Sequence, residues 1–466
     1  MIRSTLFTRT ALGLALALGV AGGTVIAAAP AAAKEKAPAA PKLAPSKTFA
    51  PLYGPMKTAL DNAGKRQDVI DAKAAVATAA AGVNAASGKA ARDSARASYD
   101  AAVKALGDKL VAERTQLDQL APAITTPDDR LIYGQLAFGL GKLAEDKGLQ
   151  RKGLQASVDS GKLAADQQAQ YSFFVGALSY DMRDWAAARA GLQAAIAGGY
   201  KQNDAESLLA EAYINDNQSA EGLKVLESAI AARTTAAPEE WLRRGVVVAY
   251  KAKLADKATT FGSKLVAGYP TTQNWALAIS VLRDTARYPS QETVDLLRLM
   301  DRTNSYMEGR DYVEFIQAAD PRRSPGEVMK VVNAGLASGK LSGKDVFVTE
   351  AKTIASGRIA ADKASLPAAE RDARAGSATA AVVMAAADAY LSYDNPAKAA
   401  ELYQLALGKP GVDAARALTR LGIAQTDLGQ TAAAQATFAK VEGPRKAMAQ
   451  LWSAYAASKV APAVVK

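Results

Sequence analysis

Leu418-Thr419-Arg420-Leu421-Gly422-Ile423-Ala424-Gln425-Thr426-Asp427-Leu428-Gly429-Gln430-Thr431-Ala432-Ala433-Ala434-Gln435-Ala436-Thr437-Phe438-Ala439-Lys440-Val441 contains one complete structural unit. Leu418, Leu421 and Gly422 share a helical face, Asp427 to Gln430 form a turn, and Ala434, Phe438 and Val441 line a return helix. Small residues at Gly422 and Ala434 allow two helices to cross closely, and Phe438 fills the gap between them. The same order of small, small, large and small recurs at Gly176, Ala188, Leu192 and Ala195, then at Ala210, Gly222, Leu226 and Ala229. It appears again at Ala387, Ala399, Tyr403 and Ala406, and a weaker copy starts at Gly245 and keeps Phe261. A period of about 34 residues means one supersecondary unit stacked on itself, so the class is all-α with no sustained strand pattern.

This pattern resembles the tetratricopeptide repeat (TPR), with Trp241, Gly245, Tyr390, Tyr403 and Pro410 where its signature expects them. Lys257 and Lys264 depart from that signature in the third copy. The resemblance covers somewhat over a third of the chain. It implies a right-handed superhelix of antiparallel helix pairs that binds protein or peptide partners.

Residues 1–33 have the form of an export signal of bacterial type. Arg3 and Arg9 form a basic start, Ala11 to Val20 an apolar run, and Ala31-Ala32-Ala33 a cleavage site, with Ala29 an alternative last residue. The expected location is the periplasm, with secretion or outer-membrane association as variants, and no later segment is apolar enough to span a bilayer. Residues 34–54 carry Pro38, Pro41, Pro45 and Pro51 among Lys34, Lys36, Lys42 and Lys47, and read as a solvated spacer. Its basic side chains could touch envelope polymers weakly.

From 55 to 127 the chain is Ala-rich, with strong helix propensity but few anchoring side chains around 75–97. Repeats are expected over 128–270, degenerate helical pairs over 271–378, and repeats again over 379–444. A capping helix and tail fill 445–466, with Met448, Leu451 and Tyr455 on one face. Thr126-Pro127-Asp128-Asp129 and Ser324-Pro325-Gly326-Glu327 both read as capped helix starts.

The 466 residues include no Cys and no His. That excludes disulfides, thiol chemistry and Ser-His-Asp or Cys-His catalysis, and argues against a zinc site. Ser-Gly-Lys triplets at 87–89, 160–162, 338–340 and 342–344 read as helix ends and not as Ser-Lys dyads. Gly139-Leu140-Gly141 lacks the third glycine of a dinucleotide loop, and Asp216-Asn217 lacks the ligand ladder of a calcium loop. Asp128-Asp129 and Glu239-Glu240 occupy first helical turns, where they suit the helix dipole, so glycan hydrolysis is not implied. The net charge of +11 is dispersed, with no basic run among aromatics, so a nucleic-acid partner is not expected. No enzyme, cofactor or metal is expected.

Binding remains. In the resembled family the first helix of each pair lines a concave groove. Transferring that geometry gives Gln170, Phe173, Tyr180, Asp181, Asp204, Glu211 and Asn215, and near the C-terminus Arg416, Thr419, Thr426 and Asp427. Asp181, Asp204 and Glu211 would favour a basic or polar segment, and the Lys/Asn clamp for a peptide carboxylate is absent. The expected function is an interaction scaffold in envelope assembly or maintenance. The alternatives are a polysaccharide-binding or cell-wall-active subunit and a self-associating structural protein.

Overall fold

Helix–helix spacing in this chain is set by glycine facing a large side chain. The computed structural model describes residues 43–459. The export signal expected at 1–33, the start of the spacer and the end of the tail lie outside the described residues. Pro45 onward forms one unit, all-helical among the described residues. It begins with α1 (Ala50–Ala63), α2 (Gln67–Ala85), α3 (Lys89–Asp108) and α4 (Val111–Leu120). Regular pairs follow: α5 (Pro127–Leu143) with α6 (Lys147–Asp159), α7 (Ala165–Asp181) with α8 (Trp185–Ala197), α9 (Ala205–Asn215) with α10 (Ser219–Ala231), and α11 (Glu239–Lys251) with α12 (Ala255–Gly268).

Next come α13 (Thr272–Ala286), α14 (Ser290–Arg302), α15 (Gly309–Ala319), α16 (Pro325–Ala337) and the long α17 (Val346–Arg374). The chain then returns to the regular pattern with α18 (Ala380–Ser392) on α19 (Pro396–Leu407) and α20 (Ala414–Asp427) on α21 (Thr431–Phe438), and ends in α22 (Lys446–Ser458). From α4 onward each helix packs on its neighbours in sequence, which makes an α–α superhelix. No helix among the described residues is long and apolar enough to cross a membrane.

The periodic small and large positions meet as their spacing requires. A Cβ on Gly422 would lie 2.4 Å from the Phe438 ring, and one on Gly245 would lie 2.3 Å from Phe261. The weak third copy therefore uses the same lock as the strong copy at Gly422, despite Lys257 and Lys264. Lys257 instead reaches back to Glu227, with its Nζ donating at 2.9 and 2.7 Å.

Three details differ from the sequence reading. The spacer does not extend to 54: α1 starts at Ala50, Phe49 is buried, and the Ser46 amide donates to Asp129 Oδ1 at 2.8 Å. Asp129 is fully buried and also accepts from the amides of Thr125 and Thr126, so it fastens the N-terminal segment as well as starting α5. Burial alone would raise its carboxyl, but these hydrogen bonds prevail and hold it below the ordinary carboxylate range. At Ser324 no side-chain cap forms, and the Glu327 carboxylate, which would complete a capping box, accepts two bonds from Arg298 at 2.7 and 2.8 Å.

α2 and α3 pack chiefly on each other, with Val69, Val76 and Leu106 their buried apolar residues. This matches the sparse apolar pattern of that stretch.

The C-terminal pairs fold back on the middle of the chain. α22 lies on α12 and α13, and α20 touches α14. A single apolar cluster runs from Val266 to Ala456 and includes Trp275, Leu296, Phe438 and Trp452. Residues 294–300 of α14 are all buried, two charged residues among them. Asp295, which is fully buried, accepts from Arg298 at 2.6 Å, Arg420 at 3.0 and 3.1 Å, and Arg445 at 2.8 Å. The Asp295 carbonyl takes the indole N–H of Trp452 at 2.9 Å. Arg302 forks onto Asp427 at 3.1 and 2.9 Å, and the Tyr455 hydroxyl donates to the Arg302 carbonyl at 3.2 Å.

Replacing Asp295 by Ala removes the buried carboxylate that three guanidiniums share and should destabilise the C-terminal helices by about 3–5 kcal/mol. Thermal denaturation with hydrogen exchange is the measurement, and the loss of protection should concentrate in α14, α20 and α22. Gly245→Val should cost roughly 1–3 kcal/mol by overpacking against Phe261. Gly82→Ala, where nothing lies within 4 Å, should stabilise the exposed α2 by about 0.5–1 kcal/mol in the same assay.

Candidate functional site

The first helices α7, α9, α11 and α13 carry polar side chains that reach to neighbouring helices, and Lys147 at the start of α6 joins them. Because the repeat is close to 34 residues, partners on adjacent rungs sit about one period apart in sequence. Lys147 pairs with Asp181. The Asn215 amide donates to the Tyr180 hydroxyl at 2.8 Å. Arg244 forks onto both oxygens of Glu211 at 2.6 and 2.7 Å. The Tyr250 hydroxyl donates to Asp284, and Arg283 bridges Asp311 at 3.3 Å and Glu314 at 2.7 Å. These contacts form a ladder from α6 and α7 to α15.

Its electrostatics are self-contained. Burial, then the nearby Glu211 charge, pushes the Tyr180 phenol up to about 12, so it stays a neutral hydroxyl. The Arg244 guanidinium is raised by its hydrogen bonds to Glu211. Beyond the ladder a concavity of about 640 Å³ opens between α11, α13 and α15. Val247, Tyr250, Leu277, Asp284, Arg287 and Arg310 are among its lining. Arg287 closes α13 in a left-handed conformation, with φ +48°, that projects it past the last turn.

The residues singled out from sequence divide into three groups. Tyr180, Asp181, Glu211 and Asn215 are brought together on the ladder. Asp204 lies at the opposite end of α9 from Asn215, and Gln170 is half-buried in the first half of α7.

The others do not line an open face. Phe173 is 2% exposed and stacks on Tyr200 with centroids 4.7 Å apart, so it belongs to the core. Thr419 is fully buried and its hydroxyl donates to the Ala415 carbonyl at 2.7 Å. Thr426 is buried likewise on the Gly422 carbonyl at 2.8 Å. Asp427 is spent on Arg302, and Arg416 pairs with Asp388. The surface expected to hold a ligand in the C-terminal repeats faces α14 of the same chain instead. Nor do Asp181 and Glu211 offer free charge to a basic segment, since Lys147 and Arg244 neutralise them.

Sequence reasoning missed Arg244, Tyr250, Arg283 and Asp284. Their signal was present as polar partners one period apart, from Glu211 to Arg244 and from Tyr250 to Asp284. Of the Ser-Gly-Lys triplets, those at Ser160 and Ser338 do follow helices, with Gly161 and Gly339 at positive φ, whereas Gly88 precedes α3. Among the described residues no group of three or more Asp or Glu is arranged to hold a metal ion.

No protein-family model matches the chain. No curated protein matches it either. Solved structures show distant likeness. One is Naa15/Naa10 bound to HypK-THB, at 14% identity over 86% of this chain and 70% of that one, with a TM-score of 0.36. Another is the human IFIT1 dimer with PPP-AAAA, at 12% identity over 78% and 95%, with a TM-score of 0.21. A third is the APC/C hetero-tetramer Cut9-Hcn1, at 10% identity over 76% and 92%, with a TM-score of 0.14. The helix pairing itself carries the fold assignment.

Glu211 and Arg244 are both more than two-thirds buried and bidentate, so their coupling should exceed that of a surface pair. A double-mutant cycle of Glu211→Gln and Arg244→Met, read by denaturant unfolding, should give about 1 kcal/mol of coupling. Glu221 and Lys224, exposed and 3.8 Å apart, should give close to none in the same experiment.

Proposed function

We propose that this chain is a non-catalytic scaffold that binds a protein segment along the first-helix face of α5 to α13. The observation that carries this reading is the contrast between its two halves. The first-helix face of α20 is filled by α14, while the corresponding face of α11 and α13 keeps a concavity of about 640 Å³. An extended segment laid there would meet the Tyr250 ring, the apolar Val247 and Leu277, and the Arg287 and Arg310 guanidiniums at one end. With the ladder's acids neutralised internally, the face suits a largely neutral polar segment with its acidic residues toward Arg287.

The absence of His and Cys from the sequence supports a binding role over a catalytic one. The apolar run behind Arg3 and Arg9 supports export, and with it work in the cell envelope, in assembly or maintenance.

The test is photo-crosslinking of the full chain in its own cells, with the reactive group at Tyr250 or, as a control, at the 70% exposed Val346 on α17. One recurrent protein should be captured at Tyr250 and not at Val346, and Arg287→Glu with Arg310→Glu should abolish it. Equal capture at both sites, or capture indifferent to the two arginines, would sink the assignment of this face.

A further inference from the structure

A second concavity, of about 750 Å³, runs along α6, the second helix of its pair, with α5 at one end and α7 and α8 at the other. One end is formed by Ala121, Ile124, Arg130 and Tyr133, and the other by Val175, Ser179, Asp184 and Ala187. Its polar inventory is lopsided. Tyr133 is 3% exposed, and its buried hydroxyl faces the Lys152 ammonium, which can donate to its oxygen but leaves the phenol proton without an acceptor. Lys152 holds its ammonium 5.6 Å from the centre of the Tyr133 ring and makes no ion pair with a carboxylate, Asp118 acting on it only at longer range. Arg130 is exposed at the mouth with no side-chain partner among the described residues.

The acceptors in the wall are already used. Asp184 takes Arg151 at 2.6 Å and the Ala187 amide at 3.2 Å, and Asp159 takes Gln155 at 2.7 Å. A phenol proton, an ammonium and a guanidinium thus converge where the two carboxylates of the wall are bonded to other groups. Leaving a buried donor unpaired costs free energy that a ligand oxygen would recover.

We infer that this cavity is a second binding site, one that takes an acidic side chain of a polypeptide segment. A carboxylate fits because it only accepts, and two oxygens can serve Lys152, Arg130 and the Tyr133 hydroxyl together. The volume far exceeds that of a lone inorganic anion. Ala121, Ile124, Ala156, Val175 and Ala187 offer apolar wall for the stem and neighbouring residues of a peptide. The inference rests on the reading of the chain as a protein-binding scaffold, and it places a second contact around α6, apart from the concavity between α11, α13 and α15.

The experiment is calorimetric titration of the full chain with the acetylated, amidated peptide (Ala-Glu)3, its (Ala-Gln)3 counterpart, and inorganic phosphate. The Glu peptide should bind saturably and the Gln peptide at least tenfold more weakly. Arg130→Glu with Lys152→Glu should weaken the Glu peptide at least tenfold. Tyr133→Phe should weaken it several-fold, and neither variant should shift the thermal midpoint appreciably. Arg287→Glu with Arg310→Glu should leave this binding intact, which separates this site from the first-helix face. Absent binding, equal binding of the Gln peptide, or indifference to Arg130, Lys152 and Tyr133 would overturn the proposal. Phosphate matching the Glu peptide in affinity would overturn the peptide assignment in favour of a small-anion site.

Discussion

Asp295 is a carboxylate placed where no water reaches, and it is tolerable only because three guanidiniums arrive from three parts of the chain. Arg298 comes from one turn along the same helix, Arg420 from α20, and Arg445 from the turn before α22. Arg298 and Arg420 are themselves answered by Glu327 and Asp388, so cations and anions balance within the cluster. A buried ionic network of this kind contributes little net stability, since a well-packed apolar cluster of equal volume would do as well. What it contributes is register. Sliding α20 along α14 by one turn would leave Asp295 uncompensated, a penalty of several kcal/mol that apolar surfaces alone would not impose.

That single contact changes what the repeats mean. An open array of helix pairs is quasi-one-dimensional, each pair stabilised by its neighbours and free to bind along one face. Here the array from α12 to α22 is joined to itself by Trp452, Tyr455 and the Arg302–Asp427 fork, across separations of 125 to 157 residues. Those helices must stand or fall together, while α5 to α11 keep the sequential contacts of an open array. The closed half also consumes its first-helix face, which is why polar residues such as Thr419 and Thr426 bond to their own backbone and face no ligand.

The legible part of the fold was local. Gly422 with Phe438 and Gly176 with Leu192 announce themselves because the contact lies within one period and recurs. The ladder was half legible: Tyr180, Asp181, Glu211 and Asn215 follow from helix phase, whereas Arg244 and Asp284 needed polar residues to be compared one period apart. Phe173 was misplaced because helix phase alone cannot say that Tyr200 folds over it. The clasp left almost no trace, since nothing periodic links Asp295 to Arg420. One hint was available in α14, where Asp295 and Arg298 stand within the otherwise apolar stretch from Val294 to Met300. Ser324 shows the same limit, because Glu327 had a stronger partner than the cap, two helices away in sequence.

The absence of His gives these contacts a common property. Asp295 is held below the ordinary carboxylate range: burial opposes ionisation, and Arg420, Arg298 and Arg445 overcome it. A depressed carboxyl stabilises the fold at every pH above its unfolded value, and the contribution fades only as pH falls toward the folded one. Arg298 and Arg302 are raised despite burial, by Glu327 and by Asp427, so they stay charged through the alkaline range. Tyr180 ionises only near 12, and its neutral hydroxyl is the form the Asn215 contact uses. Asp295, Arg298, Arg302 and Tyr180 therefore keep their charge state between about pH 5 and 9, the interval in which a histidine would change its own. The geometry that keeps one helical face closed and the other open is therefore set by groups whose charge the surroundings do not control.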